Sequence, residues 1–265
     1  MTLPTVDILG IPIYSSTLDL ITSDVIARCT SEQAKESLCI SATGAHGLVT
    51  ARKDRAVAEL LRSFHVNLPD GRPVVWVGWL KGAREMDQCA GSDFFERVLR
   101  CSAAGGVRHY LCGGKEGVAE KLRAACGTRL GNHHVVGTFT PPFRDMSDAE
   151  LQALAREIEA NAADILWVGI SSPRQEALAR RIASVAKVHF IVAVGAAFDF
   201  HTGARPRAPM FLRKAGLEWL FRLCQEPRRL YRRCLEIVPP FVAYNLEELV
   251  KWLIQGGRDE LKHES

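Results

Sequence analysis

The chain has 265 residues, of which 47% are hydrophobic and 24% charged, and its formal net charge is +4. These proportions fit one large α/β domain, or a medium domain with an appendage, and exclude a disordered, collagen-like or coiled-coil chain. No apolar run reaches the roughly eighteen residues of a spanning helix, and residues 1–10 lack a basic segment followed by an apolar core, so a cytoplasmic address is expected.

From residue 36 onward, short apolar runs alternate with amphipathic stretches. The pattern predicts strands at 37–42, 65–68, 108–112, 133–137, 164–169 and 190–194. Helices are predicted at 45–63, 92–103, 116–126, 148–161 and 173–184, with Ser147 capping the fourth and Pro173 in the first turn of the fifth. A proline-rich loop falls at 140–144. Strands alternating with helices at this spacing predict a Rossmann-like parallel sheet sandwiched by helices. In such sheets ligands bind beyond the carboxyl ends of the strands, which selects the loops at 43–46, 69–72, 113–117, 169–175 and 195–203.

Beyond Gly203 the pattern changes to a helical, Arg-, Trp- and Phe-rich tail with expected breaks at Pro206, Pro209, Pro227 and Pro239-Pro240. The division expected is a catalytic core at 1–204 and a basic helical appendage at 205–265. Between Arg205 and Arg233, nine basic residues face only Glu218 and Glu226. That block carries +7 and the rest of the chain about −3, so the positive charge is local and calls for a local anionic partner. Trp219, Phe221 and Tyr231 interleave the arginines, a mixture suited to a membrane interface or a lipid diphosphate. A solvated face is the bland alternative, and no nucleic-acid-binding motif is present. The apolar run at 237–244, split by Pro239-Pro240, is too short to span; it either lies in the interfacial plane or packs on the core.

Several strand-end residues are placed to do chemistry. Asp70, in Pro69-Asp70-Gly71, reads as a general base for an attacking hydroxyl or as a turn aspartate. Gly113 and Gly114 form a glycine-rich turn into a helix, either a phosphate cradle or a packing turn. Arg174 and Gln175 project from a helix start toward the ligand face, where the amide suits sugar hydroxyls, or they are simply a polar first turn. Asp199 follows the last strand and either accepts from ribose or base groups or caps the next segment. On a continuous helix Arg222, Arg229 and Arg232 share one face, unless Pro227 bends it.

The eight cysteines are scattered without a C-x-x-C pair and read as reduced core thiols. His46, His133, His134 and His201 show no metal-ligand spacing, so neither metal nor cofactor is expected.

Seven segments occur here in one order: Pro69-Asp70-Gly71, 90–93, 172–176, 195–199, 207–209, 216–219 and 226–229. Together they resemble the WecG/TagA/CpsF family of bacterial glycosyltransferases across nearly the whole chain. The resemblance implies an inverting, metal-independent transferase on the inner face of the cytoplasmic membrane. It would move N-acetylmannosamine or another hexose from a UDP-sugar onto an undecaprenyl-diphosphate-linked saccharide, with self-association possible. It places Asp70 as catalytic base, Gln175 in the active site, and Arg222, Arg229 and Arg232 at the lipid diphosphate. Arg207 lies within the matching segments.

The chain departs from the family's Thr-x-Asn, where it has Ala42-Thr43-Gly44, and carries Gln88 where the family has Arg. These positions sit near the donor sugar, so Thr43, Gly44, His46 and Gln88 are expected to shape the sugar preference, with UDP-glucose as an alternative donor. The rival readings are a Rossmann-like oxidoreductase, which lacks its dinucleotide fingerprint, and a non-catalytic membrane scaffold.

Overall fold

The computed structural model describes residues 3–203, 208–214, 216–225 and 227–263; the side chains of Met210, Lys214, Arg222, Arg229, Leu230, Arg233 and residues 252–263 lie outside the described set. The chain opens with an antiparallel hairpin, β1 (Thr5–Ile8) and β2 (Ile11–Tyr14). Its two turn residues, Leu9 and Gly10, both have positive φ, the geometry that matches the twist of a two-residue hairpin. Helix α1 (Leu18–Cys29) follows, with the Thr17 hydroxyl accepting from the Leu20 N–H.

The core is a six-stranded, wholly parallel sheet, as the alternation of elements anticipates. Its strands are β3 (Leu38–Gly44), β4 (Val66–Asp70), β5 (His109–Gly113), β6 (Val135–Phe139), β7 (Ile165–Gly169) and β8 (Phe190–Ala193), in the order β4-β3-β8-β7-β5-β6. The connecting helices are α2 (Ala45–Lys53), α3 (Arg55–Arg62), α4 (Arg72–Leu80), α5 (Gly91–Ser102), α6 (Val118–Leu130), α7 (Asp148–Ala160), α8 (Arg174–Ala183) and α9 (Ala197–His201). Alternate residues of one strand serve opposite faces. Ile165 and Trp167 join the layer under α1, α5 and α6, whereas Leu166 and Val168 join the layer under α7 and α8.

Three sequence expectations need correction. The single helix at 45–63 is two, because Asp54 is extended and its carboxylate accepts from the Ala56 N–H, restarting the helix. Strand β6 starts two residues later than expected, since Asn132 Oδ1 holds the His134 N–H outside the strand. The tail is not broken at Pro239-Pro240. After α10 (Met210–Lys214) and α11 (Glu218–Gln225), α12 runs unbroken through both prolines from Pro227 to His263. The break expected at Pro227 is present: α11 ends at Gln225 and α12 starts at Pro227, so Arg222 and Arg229 lie on different helices.

A third apolar layer fastens α12 to the body. Phe241 sits 6% exposed among Ile8, Ile13, Leu48 and Val74, and Lys81, the C-cap of α4, pairs with Glu248 at 2.7 Å. Arg213 of α10 chelates Asp93 at 2.7 and 2.9 Å, so one cation of the basic block is spent inside the fold.

The four fully buried thiols, Cys39, Cys89, Cys112 and Cys126, fit their reading as core residues, and burial raises the thiol pKa of each. Cys101 and Cys224 instead face solvent.

His109 on β5 is the buried polar hub beneath α5. Trp167 Nε1–H donates to its Nδ1 at 3.2 Å, which leaves the proton on Nε2, 3.0 Å from Ser102 Oγ. Burial pulls its pKa from 6.5 down to about 3. The folded ring therefore stays neutral where the unfolded chain takes a proton. Its contribution is complete above the unfolded pKa and is lost as pH falls toward the folded one. Thermal stability is expected to drop as pH falls from about 6.5 toward 4, and His109→Gln to flatten that slope while lowering Tm at neutral pH; paired pH–melting curves measure both.

Candidate active site

The five strand-end loops singled out by the sequence converge on one cleft of about 1250 Å³. Its floor and rim carry Thr43, Gly44, His46, Asp70, Gln88, Gly114, Arg174, Gln175 and Asp199. Its opposite wall is apolar: Trp76 and Leu80 of α4 face Ile237, Phe241, Val242 and Leu246 of α12. The cleft is thus polar at the sheet and greasy beneath the tail.

Asp70 ends β4 and Gly44 ends β3, and the two are register partners. A Cβ on Gly44 would stand 2.7 Å from the Asp70 carbonyl oxygen, closer than any side chain tolerates. An asparagine at position 44 has no room here unless the Asp70 backbone moves. After Asp70, Gly71 turns with φ 103 into α4, and the Pro69 carbonyl accepts from the Cys89 N–H, which moors the segment carrying Gln88.

A chain of buried polar side chains runs beneath the cleft from β4 through β3 to α8 and ends at the turn after β8. Asn67 Nδ2 donates to the Leu61 carbonyl at 2.9 Å. Thr43 Oγ1 stands 3.2 Å from both Asn67 Oδ1 and Ser41 Oγ, and its single proton serves one of them. Ser41 donates to Glu176 Oε1 at 3.2 Å, Gln175 Nε2 donates to the same oxygen at 2.9 Å, and Gln175 Oε1 accepts from the Gly195 N–H at 2.9 Å. Gln175 is only 2% exposed. Its amide is largely occupied with fixing the turn after β8, the turn that leads to Asp199.

The remaining expected residues divide. Arg174 donates to the Phe143 carbonyl at 2.6 Å and lies 5.3 Å from that ring, which ties the 141–143 loop to the rim. Gly113 is buried against Gly169, where a Cβ would meet the carbonyl oxygen at 2.4 Å; it is a packing glycine behind the cleft, and Gly114 is the one on the lining. Arg232 is exposed on α12 and is not among the described lining residues. Arg222 and Arg229 have backbone positions in α11 and α12 but side chains outside the described residues, and Arg207 lies wholly outside them.

Sequence reasoning passed over Arg72, Lys115, Trp76 and Glu176, all on the lining. Arg72 at the start of α4 has a buried Nε with no hydrogen-bond partner among the described residues, and its Nη1 lies 3.9 Å from Asp87. The signal for it was Gly216. A Cβ there would fall 2.9 Å from both Arg72 and Trp76, so the tail can close on α4 only through a glycine.

Residues 6–254 match the Glycosyl transferase WecG/TagA/CpsF family. The chain belongs to that family. It is therefore a glycosyltransferase of cell-surface polysaccharide synthesis, working with a sugar-nucleotide donor and a lipid-linked acceptor. Among the described residues no helix is long and apolar enough to cross a membrane, and no cluster of His, Cys, Asp or Glu is arranged to hold a metal ion.

Gly44→Ala is expected to lower Tm by several degrees, because the added Cβ must push the Asp70 backbone aside at about 1–3 kcal/mol. A melting curve beside the wild type measures this, and an unchanged Tm would show that the strand end yields freely.

Proposed function

We propose that this member moves a hexose from a UDP-sugar onto a polyprenyl-diphosphate-linked saccharide by a single inverting displacement, docked peripherally on the cytoplasmic membrane face. The observation that carries this reading is the amphiphilic cleft, in which Asp70 and an apolar wall from α4 and α12 line one continuous space. A substrate with a charged diphosphate beside a long hydrocarbon chain matches that division, whereas a freely soluble acceptor has no use for the greasy wall.

In the proposed reaction Asp70 takes the proton of an acceptor hydroxyl as its oxygen bonds to the anomeric carbon. The bond from that carbon to the donor diphosphate breaks on the opposite face, and UDP departs with the electron pair. Arg72, Lys115 and Arg174 on the lining are cations available to the diphosphates, and the tail is proposed to bring Arg222 and Arg229 to them while Arg232, off the described lining, meets the lipid headgroups. N-acetylmannosamine and glucose are the two donor sugars to test first.

Docking rests on α12. Tyr231, Leu235, Val238, Val242, Leu246 and Val250 are all exposed and recur every three or four residues, forming a continuous apolar stripe. Arg228 and Arg232 are exposed where the stripe begins, as an anionic lipid surface would require.

Asp70→Asn is expected to retain UDP binding by calorimetry while losing about 100- to 10,000-fold in turnover of a short-chain polyprenyl-diphosphate acceptor. Near-normal turnover would remove Asp70 from the mechanism, and absence of UDP binding in the wild type would favour a scaffold. Val242→Asp combined with Leu246→Asp is expected to abolish flotation with vesicles containing anionic lipid and to spare UDP binding; undiminished flotation would place the docking surface elsewhere.

A further inference from the structure

Helix α4 carries two tryptophans that the fold treats in opposite ways. Trp79 packs on the third apolar layer, and its Nε1–H donates to the Met86 carbonyl at 2.9 Å. Val74 and Val75 are fully buried in that layer, and Val77 packs on it. Trp76 and Leu80 take no part in it and are 45% and 63% exposed. With Arg72 they stand four residues apart in turn, so the three side chains form one row along the helix, about 12 Å from end to end. All three line the cleft. A matching row belongs to α12, where Val238, Val242 and Leu246 keep the same spacing, line the same cleft and are exposed. Apolar rows that open from a polar cleft mark a binding surface.

We infer that α4 is the element that reads the acceptor: Arg72 holds the acceptor's diphosphate, and Trp76 and Leu80 hold the isoprene units nearest to it. This rests on the proposed transfer to a polyprenyl-diphosphate-linked saccharide, and it assigns Arg72 to the acceptor rather than to the donor. The order of groups along the chain carries it. Asp70 ends β4 two residues before Arg72, and Trp76 and Leu80 follow about one and two helical turns later. A carboxylate, a guanidinium and two apolar side chains thus succeed one another as the acceptor's hydroxyl, diphosphate and hydrocarbon do. Among the described residues the ionic contact of Arg72 is Nη1 to Asp87 at 3.9 Å, beyond hydrogen-bond reach, so the guanidinium keeps N–H groups for a phosphate. Lys115 follows β5, four strands across the sheet from β4 and on the order of 19 Å away at the usual strand spacing, and is left for the donor. Both apolar rows line the space that holds Asp70, so the occupant is the acceptor's own chain and not the bilayer.

The test titrates the full chain, saturated with UDP and free of vesicles and detergent, with dimethylallyl, geranyl and farnesyl diphosphate, which carry one, two and three isoprene units. The dissociation constant read by calorimetry is expected to fall about tenfold or more from the first to the third. Arg72→Gln is expected to weaken all three about tenfold or more while leaving the dissociation constant of UDP alone unchanged. Leu80 is largely exposed, so Leu80→Gln is expected to fold, to bind UDP as the wild type does and to lose most of the dependence on chain length. A wild type that binds UDP but shows a flat chain-length profile, or binds none of the three, overturns the inference and leaves the rows to the bilayer. A folded Arg72→Gln whose binding of UDP alone weakens about tenfold overturns the assignment of Arg72 to the acceptor. Should that variant fail to fold, Leu80→Gln decides, and an undiminished length dependence there overturns the role of α4. A wild type that binds no UDP overturns the sugar-nucleotide reading beneath the inference.

Discussion

The site depends on the polar chain buried under the strand ends. Asn67, Thr43, Ser41, Glu176 and Gln175 have little or no contact with water, so each must find its partners inside the protein or destabilise it. Meeting that demand links β4, β3, α8 and the turn after β8 in one line of contacts. Asp70 and Asp199 are carried on the two ends of this line. Asp70 follows Asn67 by three residues, and Asp199 follows Gly195 by four, so both start from anchored backbone. A parallel sheet alone would bring the loops to one edge without fixing them.

The tail closes the site by a second set of constraints. Gly216 permits contact with Arg72 and Trp76, Arg213 grips Asp93 at the start of α5, and Glu248 joins Lys81 while accepting from the Leu9 N–H at 3.2 Å. Phe241 supplies the apolar anchor between them. The Arg213–Asp93 pair is partly shielded, with side-chain exposures of 18% and 25%, so it is screened less than a surface pair and holds α10 against the rim. Together these contacts turn an open strand-end crevice into a cleft with an apolar wall.

Much of this was legible in the residues. Periodicity and turn signals gave the parallel sheet and the five ligand loops because both depend on short-range pattern. The early hairpin was not read, since β1 and β2 are only four residues each and their turn uses Leu9 in a conformation leucine seldom adopts. The helix through Pro239-Pro240 was read as a break because local propensity argues for one. Phe241, immediately after the prolines, is pinned in the core and tertiary packing overrides that preference. Glu176 stayed invisible for a related reason. A glutamate in a first helical turn is ordinary, and only the structure shows this one turned inward and buried.

The two faces of the cleft also bear on how the proposed reaction would be ordered. The polar floor lies at the sheet, and the apolar wall is built partly from Leu80, Val242 and Leu246, side chains that also reach the surface. An acceptor whose hydrocarbon chain rests against that wall approaches from the side of α4 and α12. On the same reading a sugar nucleotide occupies the polar strand-end floor beneath it. With the acceptor in place above the floor, the route for the donor narrows to the strand-end loops at 114–115 and 141–143. On the proposed reading the donor therefore enters first and the lipid-linked acceptor closes over it, which also keeps water away from the anomeric carbon until a sugar hydroxyl is there to attack it.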